Sequence, residues 1–167
     1  PDIRRALKRR NILSYRLVWF ESAPPERFPR RALASVTTHD LFTIAGLWTG
    51  SDLAAQKRLG LQPNEKGARR ILKRLQAAIK LPREAAVPDA ILKTYATLSK
   101  APSMLKVASM DDALAVEERP NMPGTQTTWP NWRLALPASL ESIKKNKLIR
   151  NIAKVMRNKS KPRKPPS

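Results

Sequence analysis

Three features of the sequence predict an α/β fold. Apolar residues recur at helical and at strand spacing in turn, in the order helix, strand, strand, helices, strand, helix. The run Ala32-Leu-Ala-Ser-Val36 is nearly continuous in apolar residues, as suits a strand buried on both faces of a parallel sheet. Between the strands lie amphipathic stretches that supply helices to cover such a sheet. Three strands are too few to close a barrel.

The chain opens on the end of a helix, Pro1 to Asn11, with Ile3 and Leu7 on an apolar stripe and bases on the other face. Ile12 to Glu21 is aromatic and partly β-branched and reads as the first strand. Pro24, Pro25 and Pro29 make Ser22 to Arg30 a loop. Arg31 to Thr38 is the second strand. Leu41 to Gly50 reads as a short helix in which Gly46 marks close packing or an early end. Ser51 to Leu61 is a helix ending at Gly60, with Pro63 just beyond it. Asn64 to Lys80 is amphipathic and basic. Pro88 suits the first helical position of a helix over Asp89 to Lys100. Ser103 to Met110 is a third strand, and Asp111-Asp112-Ala-Leu a short helix or turn. Glu118 to Trp132 is a long loop of Pro, Asn, Gly and Thr, a length that usually signals function or disorder. Its Trp129 and Trp132 argue against disorder. Leu134 to Met156 contains the last helix, and Arg157 to Ser167 is expected to be a disordered end.

Composition narrows the chemistry. The chain has 167 residues, one ordinary domain in length, and 41% of them are hydrophobic, enough for a core. The absence of cysteine excludes disulfides, cysteine-based zinc sites and thiol nucleophiles. A single histidine leaves no His-rich metal site. No apolar run reaches the roughly 20 residues that span a bilayer, and no signal peptide is visible after Pro1-Asp2-Ile3-Arg4-Arg5. There is no initiator Met, which fits processing as well as a fragment. The formal charge of +20 is concentrated in Arg4 to Arg10, Lys66 to Arg74 and Lys144 to Lys164. Such clusters attract polyanions, and nucleic acid is the usual one. They equally serve as solvated helix faces, and no zinc-finger, RNP-like or dsRNA-binding pattern accompanies them.

The second strand ends in Thr37-Thr38-His39-Asp40, beside the only histidine. A carboxylate at the C-terminal end of a strand is where a barrel enzyme keeps a working residue. Asp is also a preferred helix N-cap, with His39 then a turn residue. The residues alone leave both readings open.

Ser14-Tyr-Arg-Leu-Val-Trp-Phe-Glu21, Phe28-Pro-Arg-Arg-Ala-Leu-Ala-Ser-Val-Thr-Thr-His-Asp-Leu41, Asn121-Met-Pro-Gly-Thr125 and Pro130-Asn-Trp-Arg133 together resemble the C-terminal part of the amylomaltase family of 4-α-glucanotransferases. The resemblance runs to about Lys147 and keeps the order and spacing of all four pieces. It implies the C-terminal part of a TIM-type (β/α)8 barrel with helical insertions, about three barrel strands being present. Residues 1–143 would belong to the catalytic barrel, with a helical insertion at about 51–100. Residues 144–167 would form a basic C-terminal helix and tail.

The activity so implied is transfer of α-1,4-glucan segments between maltodextrins by a retaining double displacement, within maltodextrin and glycogen metabolism. Its substrates are α-1,4-glucans and maltooligosaccharides, with glucose as an acceptor. Retention requires two close carboxyl groups, a nucleophile and an acid/base. Neither family motif is found here, so the resemblance implies a partner: the missing N-terminal part of the enzyme. The fragment alone is expected to be inactive. His39 and Asp40 match the family's third carboxylate motif, Asp40 as transition-state stabiliser and His39 as a ligand of sugar hydroxyls. Asn121 and Gly124 are expected to line the cleft after the last strand. Trp132, Trp129 and Trp48 are candidates for stacking on glucose, with the core as their alternative place. Phe20 and Glu21 are candidate cleft residues at a strand end, although Glu21 does not match the acid/base motif. No metal or cofactor is expected, since carboxylates suffice. A cytoplasmic location, no membrane contact and no nucleic-acid partner complete the expectation. The rival readings are a basic nucleic-acid-binding protein and a non-catalytic glucan-binding remnant. One departure stands out: Phe42-Thr43 replaces the family's usual Pro-Thr, which should alter how the following helix begins.

Overall fold

The computed structural model describes residues 2–157. Three short strands, β1 (Ser14–Leu17), β2 (Ala32–Ser35) and β3 (Leu105–Lys106), form one parallel sheet in the order β1-β2-β3. In register, Tyr15 lies beside Leu33 and Leu33 beside Leu105, while Arg16, Ala34 and Lys106 share the opposite face. Each strand is shorter than its apolar run. Beyond Leu17 the chain turns, with the Glu21 N–H donating to the Leu17 carbonyl at 3.0 Å. Pro25–Arg27 in the following loop makes a single 3₁₀ turn.

The helices fall close to their expected places. A first helix, α1 (Asp2–Arg9), precedes β1. Between β2 and β3 run α2 (Ile44–Thr49), α3 (Ser51–Arg58), α4 (Glu65–Ile79) and α5 (Val87–Leu98), the long crossover that a parallel pair requires. Pro88 sits one position further into α5 than expected. Asn64 caps α4, its side chain accepting from the Gly67 N–H. After β3 come α6 (Met110–Ala113), then α7 (Leu140–Lys145) and α8 (Lys147–Met156). The expected last helix is thus two helices. They break at Asn146, whose carboxamide oxygen accepts from the Ile149 N–H at 3.1 Å and starts α8 afresh.

The core lies on the Ala34 face of the sheet. Ala32 and Ala34 are fully buried, and Ala34 packs in one cluster with side chains of the helical layer. Ile44, Trp48, Ile91, Tyr95 and Leu98 fill that layer. Each such side chain stabilises by about 1.5–3 kcal/mol through burial. α8 packs on α5 and buries Ile152 in the same core, so the basic C-terminal helix is continuous with the rest. The expected disordered end, from residue 158 on, lies outside the described residues. The Tyr15–Leu33–Leu105 face is different: Tyr15 is 53% exposed and Leu105 50%.

Candidate functional site

The stretch after β2 is built by local chemistry. The Asp40 carboxylate does not cap α2. Thr43 does, its hydroxyl accepting from the Gly46 N–H at 2.9 Å. The N-cap alternative for Asp40 is thereby corrected, and its carboxylate stays outside the helix. The Thr38 hydroxyl donates to Asp40 Oδ1, and this bond is the main reason the Asp40 carboxyl is held below its ordinary range. Partial burial opposes it, while the backbone, His39 and Arg119 add to the lowering. Phe42, where the resemblance expects Pro, is pinned by its carbonyl, which accepts from Thr37 Oγ1 at 2.9 Å and from Trp19 Nε1 at 3.2 Å. Its ring lies 5.6 Å from that of Trp19.

The Glu118–Trp132 loop folds back onto this turn. The Asn121 N–H donates to the His39 carbonyl at 3.0 Å, and the Trp132 N–H to the Pro120 carbonyl at 2.9 Å. The rings of His39 and Trp132 meet with centroids 4.6 Å apart, tilted by 46°. Trp132 adopts a left-handed backbone, φ 61°, yet is 65% exposed. That strained conformation holds an aromatic ring against the histidine at the surface. Gly124, φ 85°, turns the loop where most side chains would be strained. Asn131 knits it: its Oδ1 accepts from the Met122 N–H at 2.7 Å, and its Nδ2 donates to Thr125 Oγ1 at 2.9 Å and to the Thr125 carbonyl at 3.1 Å.

Beside the turn, at the C-terminal ends of the strands, lies a cleft of about 300 Å³ lined by Tyr15, Thr38, His39, Ser109, Asp111 and Pro120, among others. Backbone and ring contacts bring Asp40, Asn121 and Trp132 together around His39, and of these four only His39 lines the cleft. The structure keeps the other candidates apart. Trp48 is 2% exposed, and its indole N–H donates to the Ala85 carbonyl at 2.9 Å, so it offers no face to a ligand. Helical spacing alone does not separate a core tryptophan from a surface one, and burial in α2 decides it. Trp129 faces α3, its indole N–H bonded to the Arg119 carbonyl at 3.1 Å. Glu21 pairs with Arg16 at 2.8 Å and lines a separate cavity of about 220 Å³ with Arg74. Phe20 is exposed and lines neither of these two spaces.

Four residues that matter here were not singled out from the sequence. Thr38 lowers the range in which the Asp40 carboxyl titrates. Thr43 starts the helix. Arg119 and Asp52 form a buried pair, Nε to Oδ1 at 2.7 Å and Nη2 to Oδ2 at 2.5 Å, with Arg119 Nη1 donating to the Asp40 carbonyl at 2.8 Å. Only the repeated Thr before His-Asp hinted at any of them. Among the described residues, no group of three or more His, Asp or Glu side chains can hold a metal ion, and no helix is long and apolar enough to cross a membrane.

Comparison with known proteins adds the following. A family model described as 4-alpha-glucanotransferase matches residues 1–140. The 4-alpha-glucanotransferases of Mycobacterium tuberculosis strain H37Rv and of Mycobacterium bovis are each 31% identical over 184 residues, covering 94% of this chain and 25% of the relative. The crystal structure of amylomaltase from Corynebacterium glutamicum superposes with a TM-score of 0.80 at 26% identity, over 93% of this chain and 27% of that one. Amylomaltase from Streptococcus agalactiae, solved in complex with acarbose, gives 0.59 at 19% identity over 93% of this chain and 29% of that one, a likeness of fold alone. The chain spans about a quarter of the length of the curated relatives it matches.

Proposed function

The chain belongs to the 4-alpha-glucanotransferase family, and from that premise we propose that it is the part of a longer transferase that binds the reacting sugar through His39 and Asp40. The reaction is transfer of an α-1,4-glucan segment from one maltodextrin to the 4-hydroxyl of another, or of glucose, with retention. One observation carries this reading: an ionised carboxylate and an exposed imidazole stand side by side at the end of a parallel strand, with Trp132 against the imidazole.

Each residue has a role that its chemistry suits. The Asp40 carboxylate accepts hydrogen bonds from two neighbouring hydroxyls of the distorted sugar ring. Those bonds strengthen as the ring gains oxocarbenium character, a gain of roughly several kcal/mol in glycoside hydrolysis of this kind. The Thr38 hydrogen bond favours the ionised form of Asp40 and so extends it to lower pH. The two ring nitrogens of the His39 imidazole offer hydrogen bonds to a diol. The exposed Trp132 ring can cover an apolar sugar face, and Asn121 can bond a hydroxyl at the same rim. The nucleophile and the acid/base come from residues outside this chain. A cytoplasmic enzyme of maltodextrin and glycogen use is the setting that follows.

Three features support completion of the sheet by further polypeptide. The Tyr15–Leu33–Leu105 face carries exposed apolar side chains. β1 and β3 each keep one edge without a neighbouring strand among the described residues. Arg16 Nε is buried with no hydrogen-bond partner among those residues, near a cavity of about 380 Å³ at the β1 edge.

Maltotriose incubated with this chain alone should remain unchanged. The longer polypeptide should convert it to glucose and longer maltodextrins. Transfer by the isolated chain, or none by the longer one, overturns the reading.

A further inference from the structure

We propose that Arg119 is a positioning residue, anchored by Asp52, that sets the His39–Asp40 turn against the loop bearing Trp132. The part about sugar binding rests on the function proposed above; the geometry does not.

Both partners are buried, Arg119 at 6% exposure and Asp52 at 4%. A buried ion pair is a poor source of net stability, because desolvating the two charges offsets most of their attraction. Its directionality is the stronger property. The guanidinium uses two N–H groups to fork onto both oxygens of Asp52 and a third, Nη1, to hold the Asp40 carbonyl at 2.8 Å. Lysine has no such planar fork and cannot hold all three contacts at once. Asp52 is itself fixed on α3, accepting from Gln56 Nε2 at 2.7 Å. The Arg119 guanidinium carbon lies 5.8 Å from the centre of the Phe42 ring, which limits its tilt.

Arg119 also begins the loop. Its carbonyl takes the Trp129 indole N–H, its neighbour Pro120 takes the Trp132 N–H, and Asn121 reaches the His39 carbonyl. One side chain thus joins α3, the turn that carries the working pair, and the loop that places Trp132. When Arg119 shifts, Asp40 and Trp132 lose their common reference. Arg119 and Asp52 touch no sugar themselves.

The test uses this chain and its single histidine. The carbon-bound protons of His39 give their own NMR signals, displaced by the ring current of Trp132. The displacement is read as the difference from Trp132→Ala. Arg119→Lys and Asp52→Asn should each abolish most of it. They should also speed exchange of the Asn121 amide by about tenfold relative to a core amide such as Ile91, since local opening is the event such exchange reports. A pair that serves only stability lowers the melting temperature and leaves both readings as in the wild type. That outcome in either folded variant overturns the proposal, as does a wild-type His39 signal that Trp132→Ala leaves in place. None of these readings uses glucan transfer, so failure of the functional reading and failure of this one are separable.

Discussion

The Tyr95 hydroxyl donates to Asp112 Oδ2 at 2.7 Å, deep between α5 and α6. Asp112 is fully buried, and its Oδ1 accepts from the Ile44 N–H at 2.8 Å, which ties the start of α2 to the end of the sheet. Burial drives its carboxyl up to about 6, the two hydrogen bonds opposing the rise. Burial, and then the Asp112 charge, likewise push the Tyr95 hydroxyl well above its ordinary value, so it remains a donor.

This carboxyl makes stability depend on pH in an unusual direction. Its value in the fold exceeds the ordinary 3.8, so the fold binds its proton more tightly than the unfolded chain does. The contribution is complete below the ordinary value and is lost as pH rises through about 6. Asp112→Asn keeps an acceptor for Ile44 and removes the titration. The wild-type advantage over this variant should shrink by about 1 kcal/mol between about pH 5 and about pH 8. Urea unfolding of both proteins at the two pH values measures it.

Thr38→Val removes the hydroxyl that lowers the range in which the Asp40 carboxyl titrates. The Asp40 carboxyl should then titrate at higher pH, as followed by carbon-13 NMR of the side chain. In the longer polypeptide, the acid limb of transfer activity should move in the same direction. An unchanged Asp40 titration would mean that Thr38 is not the main cause.

Asp40→Asn preserves shape and removes charge. Lost stabilisation of a developing cation is worth roughly 100-fold or more in rate. Transfer by the longer polypeptide should fall by that order, with kcat carrying the loss. A rate within a few-fold of wild type would remove Asp40 from its proposed role.

Gly46 sits where α2 meets the backbone of Glu117: a Cβ there would stand 2.4 Å from the Glu117 carbonyl oxygen. Gly46→Ala gains about 1 kcal/mol of helix propensity. Overpacking against backbone costs about 1–3 kcal/mol, so the net effect should be a lower melting temperature. A higher one would show that the Glu117 segment yields freely.

Trp48 and Trp132 should behave oppositely. Trp48→Ala empties a buried site and should cost about 3–5 kcal/mol. Trp132→Ala, at an exposed position, should stay within about 0.5 kcal/mol. Thermal or urea unfolding of the two variants separates a core indole from a surface one.

Much of this molecule was legible in its sequence, because the signals were local. The run Ala32 to Val36 predicted a buried parallel strand, and β2 lies there with Ala32 and Ala34 fully buried. Amphipathic spacing placed α4 from Asn64 on, and Gly60 and Pro63 marked the end of the helix before it. The four quoted motifs carried the family resemblance, and the family model matches residues 1–140. Contacts between distant residues decided the rest. Thr43, not Asp40, starts α2, a choice set by backbone geometry after the strand. Arg119 finds Asp52 across 67 positions, and Ile44 finds Asp112 across 68. Periodicity tells which face of an element is apolar. It does not tell which face meets a neighbour or which charge is desolvated, so Trp48 and Trp132 looked alike until packing buried one and exposed the other.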